Sequence, residues 1–175
     1  MSKIMSKSLS IDSLLISDIP QLAALAEQVW LDTFSAGLTE TDIEDALSSR
    51  NQSYFESACL SQTILVAKSG AELCGFIEYG PRESNEVSID KLYVASAYQG
   101  QSIGRRLMKH SFDDPKVVDK NVILDVWIEN IKARALYESM GFKVTGERAF
   151  ISSSGKELTP DLIMQRTSSQ IDAPI

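Results

Sequence analysis

Residues 92–106 read LYVASAYQGQSIGRR, and three structural signals follow one another in this stretch. Apolar Leu92 and Val94 are typical of a strand, the small polar residues after them of a loop, and the run that includes Arg105 and Arg106 of a helix. A helix that starts directly after a loop presents unpaired backbone N–H groups and the positive end of its dipole. The stretch therefore predicts either an anion site, which the two arginines would reinforce, or an ordinary glycine-containing loop.

A second stretch, residues 130–142 with the sequence NIKARALYESMGF, predicts a helix followed by Gly141 as a C-terminal cap. Asn130, Ala133 and Tyr137 lie on one face of such a helix because they are three and seven residues apart. That face offers an amide, a small side chain and a phenol. The same spacing also fits a helix whose tyrosine is buried in the core.

The two stretches together resemble the GNAT (Gcn5-related) N-acetyltransferase superfamily. In that family a Q/R-x-x-G-x-G/A loop binds the acyl-CoA pyrophosphate, and the pattern N-x-x-A-x-x-L/F-Y-x-x-x-G-F forms a helix and the strand after it. Residues 130–142 match the second pattern in full, and residues 99–104 match the first except for Ser102, where glycine is usual. A serine with negative φ can still donate its backbone N–H, so we expect the loop to be tightened rather than lost.

The resemblance runs from about Leu65 to Arg166 and implies an α/β (α+β) protein with the GNAT fold. We expect a mixed, mostly antiparallel central sheet of about seven strands flanked by about four helices. One acetyltransferase domain should cover residues 9–166, with flexible tails at 1–8 and 167–175. Shorter similarities to the bacterial PaiA-type polyamine N-acetyltransferases occur at residues 32–34, 124–127 and 161–164.

The apolar periodicity and the turn residues also predict individual elements. The predicted helices are Asp18 to about Phe34, a helix opened by a capping box at Thr41–Glu44, Tyr54–Leu60, Ile103 to about Ser111 and Asn130–Met140. The predicted strands are an edge strand at Leu9–Ile16, a hairpin of Thr63–Lys68 and Leu73–Tyr79, a strand over Val87–Val94 after a loop at Pro81–Asn85, and strands at Val122–Trp127, Phe142–Ile151 and Leu162–Met164.

The resemblance implies an acyl-CoA-dependent enzyme that uses acetyl-CoA as cosubstrate and acetylates a primary amine by direct attack in a ternary complex. Asn130 should hold the pantetheine, and Tyr137 should be catalytic, donating a proton or hydrogen bond to the departing thiolate. The backbone of the central strand should pair with the pantetheine arm, and a bulge there should leave an N–H of Leu92 or Val94 for the oxyanion. The implied cofactor-binding residues are Leu92, Tyr93, Val94, Gln99, Gly100, Gln101, Ser102, Ile103, Gly104, Arg105, Asn130, Ala133 and Tyr137.

A primary amine has a pKa near about 10.4 and is mostly protonated at neutral pH, so a general base or water relay is expected. Many relatives place a glutamate at the position of Ser88, which this chain lacks. Asp90 lies two residues further along the same strand face and is the catalytic base we predict, with Glu86 and Glu78 behind it. A structural ion pair is the competing interpretation of Asp90.

The charge distribution bears on the acceptor. The chain has 24 acidic and 17 basic residues and a net charge of −7, which argues against a nucleic-acid-binding surface. Nine acids and three bases fall in the first sixty residues, a region from which the family builds part of its acceptor pocket. This imbalance favours a polyamine or other small cationic amine bound near Trp30, Asp32 and Phe34, although Trp30 and Phe34 could instead belong to the core.

Other classes of site are disfavoured. Cys59, Cys74 and the single His110 do not provide the three or four ligands of most zinc sites, so no metal is expected. No apolar run approaches the roughly 18 residues of a membrane span, and no secretion signal is evident. We therefore expect a cytoplasmic protein without membrane or nucleic-acid partners, and a homodimer is left open.

Two further functions compete with acetylation of a small amine. Acetylation of a protein N-terminus or lysine would predict an open groove rather than an acidic pocket. A non-catalytic acyl-CoA-binding or regulatory module would explain Ser102 and Ser88, whereas the intact Tyr137 and Asn130 argue against it.

Overall fold

The computed structural model describes residues 8–168, so the predicted tails at 1–8 and 167–175 fall almost wholly outside the described residues. Within that range the chain forms seven strands, five α-helices and two short 3-10 helices, at Ile16–Asp18 and Ser96–Tyr98. The α-helices are α1 (Ile19–Phe34), α2 (Glu40–Ser48), α3 (Gln52–Ala58), α4 (Ile103–Phe112) and α5 (Ile131–Ser139). The strands are β1 (Leu9–Ser13), β2 (Thr63–Ser69), β3 (Glu72–Glu83), β4 (Glu86–Val94), β5 (Asn121–Trp127), β6 (Lys143–Ile151) and β7 (Glu157–Arg166).

All seven strands belong to one sheet with the order β1-β2-β3-β4-β5-β7-β6. Neighbouring strands run antiparallel except for the central pair, β4 and β5, which is parallel. A parallel pair needs a crossover connection, and α4 supplies it. The mixed, mostly antiparallel seven-stranded sheet is thus confirmed.

Helices cover both faces of the sheet and bury a core on each. Helices α4 and α5 pack on one face, where the buried side chains include Ile103, Leu107, Met108, Phe112, Tyr137 and Met140. Helices α1 and α3 pack on the other face, where they include Leu22, Ala26, Phe55, Val66 and Phe76. The alternation of apolar residues along the central strands supplies both cores, as expected for a sheet between two helical layers.

Helix α2 begins two residues earlier than predicted. The expected capping box at Thr41–Glu44 lies inside the helix, and Thr39 is the N-cap instead. Its hydroxyl accepts the backbone N–H of Asp42 at 3.2 Å, while the Asp42 carboxylate accepts the backbone N–H of Thr39, also at 3.2 Å. Both positions show the capping pattern, a threonine followed by an acid three residues later, so the pattern by itself did not distinguish them.

Two other local predictions also change. Asp18 occupies the N-cap of α1, but its side chain makes no capping bond and instead binds the Lys68 ammonium at 2.8 Å. The predicted loop at Pro81–Asn85 is mostly strand, since β3 continues to Glu83. Proline is tolerated there because the pairing of β3 with β2 ends at Tyr79, so no strand on that side requires its N–H.

Asp42 also ties α2 to the turn between β6 and β7. Its carboxylate accepts the Ser153 hydroxyl at 3.0 Å, and the backbone N–H and hydroxyl of Ser154, each at 2.9 Å. Asp42 is buried, whereas no apolar side chain of α2 is fully buried. Polar contacts rather than a hydrophobic face therefore hold this helix in place.

Replacing Asp42 with asparagine should lower the melting temperature at neutral pH, because charge-assisted bonds to the carboxylate are lost. The Thr39 hydroxyl, followed by the Ser154 backbone N–H, holds the pKa of Asp42 well below its ordinary value. A depressed native pKa stabilises the fold above the unfolded-state pKa, and that stabilisation is lost as the pH falls. The difference between the two proteins should therefore narrow below about pH 4.

Melting curves recorded at pH 7 and at lower pH test this expectation. Asp45→Asn is the control, because Asp45 is an exposed acid on the same helix. It should leave the melting temperature unchanged. If the melting temperature of Asp42→Asn lies below that of wild type by the same amount at every pH, the charge of Asp42 does not contribute to stability.

Candidate active site

Strand β4 bulges halfway along its length. Lys91 pairs with Glu78 of β3, and the next pair is Ile89 with Tyr79, so Asp90 is an extra residue without a partner in β3. Such a β-bulge bends the strand and turns the following side chains to new directions. The bulge predicted for the central strand is therefore present, and it lies at Asp90.

The bulge coincides with the point where β4 leaves β5. The parallel pairing covers Glu86–Ile89 and Asn121–Leu124 and extends no further in the described chain. Beyond it, residues 92–94 still pair with β3, but their edge facing β5 has no strand partner among residues 8–168. An edge without a strand partner can pair with an extended ligand, although the Val94 carbonyl already accepts the Gln99 side-chain amide at 3.2 Å.

A cleft of about 160 Å³ opens at this divergence, between the bulge and β5. Asp90 is exposed on one side of the cleft and Asp125 on the other. The Asp125 carboxylate is held by the Arg148 guanidinium at 2.8 Å, whereas no hydrogen bond or ion pair within residues 8–168 engages Asp90. The remaining lining residues are Arg82, Ser88, Ile89, Ile123 and Leu124.

Asp125 is a cleft residue that no sequence pattern predicted. The available signal was a single charged residue between Leu124 and Val126 in an otherwise apolar central strand. Its side chain lies on the face opposite to those neighbours because side chains alternate along a strand. Only the separation of β4 from β5 brings it to the same cleft as Asp90.

The two backup bases predicted behind Asp90 lie elsewhere. Glu78 is fully buried and engaged in an ion pair, and Glu86 begins β4 next to its hairpin turn. Neither of them lines the cleft.

Aromatic side chains from α1 and β5 form a cluster on the α1 side of the sheet, called here the aromatic cluster. The ring of Trp30 lies 6.0 Å from that of Phe34, which lies 5.7 Å from that of Trp127. The Arg50 guanidinium stacks over Trp30 at 5.2 Å, and its Nε donates to the Tyr93 hydroxyl at 3.1 Å. Trp30 is buried and Phe34 half-buried, so both also contribute to packing.

Asp32 does not join that cluster. It is exposed and accepts a hydrogen bond from the Gln28 amide at 2.8 Å, one turn earlier on α1. Residues two apart on a helix point in different directions, which separates Asp32 from both Trp30 and Phe34. Of the three residues predicted to bind the amine acceptor, the structure thus brings Trp30 and Phe34 together and leaves Asp32 apart.

The predicted anion loop leads into α4 through two left-handed residues. Gly100 has φ of +78° and Ser102 has φ of +60°, so the negative φ on which the expectation of a tightened loop depended is not observed. Ser102 occupies the N-cap of α4, but its side chain makes no capping bond. The backbone N–H groups in the first turn of α4 are therefore not capped by that side chain, which is the arrangement that the predicted anion site requires.

The other loop residues have structural contacts of their own. The Gln99 amide donates to the Val94 carbonyl at 3.2 Å, Gln101 is exposed, and the Ile103 side chain is buried in the core. A Cβ on Gly104 would lie 3.3 Å from the Leu136 side chain, so glycine there permits α4 to approach α5 closely. Arg105 donates to the Ser139 hydroxyl at 2.6 Å.

Asn130 and Ala133 meet at the start of α5, where the Asn130 side-chain oxygen accepts the Ala133 backbone N–H at 3.2 Å. Capping is thus one function of Asn130, and its side-chain NH₂ is still able to donate. Tyr137, one turn further on, is buried beside Phe142, with ring centroids 5.8 Å apart. No residue of the described chain hydrogen-bonds to its hydroxyl, and burial raises the pKa of Tyr137 above its ordinary value.

Two further observations concern residues 8–168. They contain no cluster of three or more histidine, cysteine, aspartate or glutamate side chains arranged to hold a metal ion. None of their helices combines the length and the apolar character needed to cross a lipid bilayer.

Comparisons with known proteins identify relatives of this chain by sequence and by fold. Residues 23–142 match the family model described as the acetyltransferase (GNAT) family. A protein of Mycobacterium tuberculosis named as a probable N-acetyltransferase is 29% identical over 136 residues, which cover 74% of this chain and 76% of that protein. A spermine/spermidine N(1)-acetyltransferase of Bacillus subtilis is 29% identical over 90 residues, 45% of this chain and 58% of that enzyme.

Among solved structures, the PaiA N-acetyltransferase of Thermoplasma acidophilum, crystallised with coenzyme A, has the same fold. The TM-score is 0.75 at 23% identity, and the match covers 91% of this chain and 99% of that one. The family model spans more than half of the sequence, including the loop before α4 and the whole of α5. The chain belongs to the GNAT family of acetyltransferases.

Proposed function

We propose that this acetyltransferase transfers the acetyl group of acetyl-CoA to a primary amine of a polyamine or another small cationic molecule, by direct attack in a ternary complex. The carrying observation is that two carboxylates, Asp90 and Asp125, line one cleft at the divergence of β4 and β5. The similarity to a spermine/spermidine acetyltransferase supports the same acceptor class.

The residues on the α4 side fit a coenzyme A molecule. The uncapped first turn of α4 suits the pyrophosphate, and the unpaired edge of β4 at residues 92–94 suits the amide groups of the pantetheine arm. When bound, acetyl-CoA supplies an activated thioester. The side-chain NH₂ of Asn130 is available as a further donor. Tyr137 lies about two turns further along the same face of α5.

The carboxylates of Asp90 and Asp125 have different surroundings, so we assign them different roles in the reaction. Asp125 is neutralised in part by Arg148, and we assign it to holding the cationic acceptor. Asp90 has no such partner in the described chain and is exposed, which suits a base that takes the proton from the acceptor ammonium, directly or through water, so that the free amine attacks the thioester. Removing that proton at neutral pH costs on the order of 4.6 kcal/mol without assistance.

Tyr137 is assigned to the leaving thiolate. A buried phenol with a raised pKa remains protonated throughout the physiological range. Since its pKa then exceeds that of a thiol by more than in water, complete proton transfer is unfavourable, and stabilisation by a hydrogen bond is favoured. The thiolate can take its proton from solvent after release.

Thiol release from acetyl-CoA tests the acceptor class. We expect saturable release with spermidine and little with short peptides. Asp125→Asn should raise KM for spermidine more than it lowers kcat, whereas Asp90→Asn should chiefly lower kcat. Asp113→Asn, an exposed acid after α4, is the control and should behave as wild type. Release with peptides alone would identify a protein acetyltransferase, and acetyl-CoA binding without release would identify a non-catalytic module.

Replacing Tyr137 with phenylalanine should lower kcat by about a hundredfold or more while leaving the dissociation constant of CoA nearly unchanged. The melting temperature should hold, because the hydroxyl has no hydrogen-bond partner within residues 8–168 to lose. Stopped-flow or end-point thiol assays and calorimetry measure the three quantities. Normal turnover in the variant would remove Tyr137 from the reaction.

Ser102→Gly should stabilise the protein by up to about 1 kcal/mol, because a left-handed backbone is costly for serine and not for glycine. Ser102→Ala keeps the Cβ atom and should give no gain, which separates the backbone effect from loss of the hydroxyl. Denaturant melts of both variants provide the comparison. CoA should bind Ser102→Gly at least as tightly as wild type if the loop geometry is retained.

A further inference from the structure

Three polar side chains form a buried cluster beneath the sheet, on the side of α1 and α3. The Lys91 ammonium donates to Glu78 at 3.0 Å and to the Tyr54 hydroxyl at 2.8 Å. The Tyr54 hydroxyl donates in turn to the other oxygen of Glu78 at 2.5 Å. Glu78 is fully buried and Lys91 is 7% exposed, so both charges are removed from water.

The cluster lies directly beside the bulge. Glu78 and Lys91 face each other as a register pair of β3 and β4, and the residue next to Lys91 is the unpaired Asp90. On the other edge of β4, pairing with β5 has just ended at Ile89. The first β3–β4 pair beyond the point where β4 leaves β5 is therefore an ion pair.

The bulge determines which face Lys91 occupies. Val87 and Ile89 point toward the α4 core, as do Leu92 and Val94 further on. The extra residue Asp90 interrupts the alternation and places Lys91 on the opposite face, where Glu78 and Tyr54 lie. Without the bulge, Lys91 would point into the apolar core under α4 as an unpaired charge.

We propose that Glu78, Lys91 and Tyr54 are positioning residues that select the bulged register of β4 and thereby hold open the gap between β4 and β5. This inference rests on the proposed function, because the proposed function places the reaction at that gap. A buried ion pair adds little net stability compared with apolar residues of similar size, but it penalises every register that separates its partners. The cluster thus specifies a geometry rather than strengthening the fold.

The decisive variant is the double replacement Glu78→Met/Lys91→Met. Methionine fills a similar volume, so the melting temperature should equal or exceed that of wild type. The register is then no longer selected, so kcat/KM should fall by roughly tenfold to a hundredfold. Backbone amide exchange in residues 89–94 should become faster, and this readout does not require activity.

Tyr54→Phe is the second variant and serves if the double replacement does not fold. It removes one hydroxyl from the cluster and should give a smaller loss of kcat/KM with the same region exchanging faster. Tyr79→Phe is the matched control, because its hydroxyl also donates to a carboxylate, Asp114 at 2.7 Å, but on the α4 side of the sheet. It should change neither kcat/KM nor exchange in residues 89–94.

The proposal would be overturned if the double variant had the same amide exchange in residues 89–94, the same melting temperature and the same kcat/KM as wild type. A loss of activity in step with a loss of stability would overturn it as well, since that pattern indicates a merely structural ion pair. If wild type releases no thiol with any amine, the proposed function fails instead. The exchange comparison would then still decide whether the cluster selects the register.

Discussion

The parting of β4 from β5 is the constraint on which the rest of the molecule depends. Two parallel strands that remained paired along their whole length would satisfy each other's backbone and leave no room for a ligand in the sheet. Here the extra residue Asp90 bends β4 away after Ile89. The sheet remains continuous at its base, where Glu86–Ile89 pair with β5, and is open where the helices α4 and α5 begin.

This opening allows the two faces of the sheet to differ in chemistry. On the α4 and α5 side the environment is apolar, and it buries Tyr137 and approaches the loop that precedes α4. At the gap, Asp90 and Asp125 line the cleft together with Arg82, and elsewhere on the α1 side Arg50 stacks over Trp30. The reaction proposed above places an anionic cosubstrate at the uncapped start of α4 and a cationic amine at the cleft carboxylates, so each reactant would meet opposite charge.

Much of this arrangement could be predicted from short patterns. The strand, loop and helix around residues 92–106 and the helix at 130–142 were found because their signals are local: periodicity, glycine and capping residues. The features that short patterns did not predict have non-local or subtle causes. Asp125 reaches the cleft because β4 departs from β5, and the rotation of α1 against the sheet turns Asp32 away from Trp30 and Phe34. Ser102 adopts a backbone conformation that is disfavoured for its residue type.

Helix α2 illustrates how the means of attachment governs motion. Its N-terminal end is bound through Asp42 to the turn between β6 and β7, and Arg50, just past its C-terminal end, is bound to Tyr93 and stacked on Trp30. Between these anchors it buries no apolar side chain completely. Detaching such a helix exposes little hydrophobic surface, so its local opening requires less free energy than that of α4. The segment beside Trp30 is consequently expected to open and close without disturbing either core.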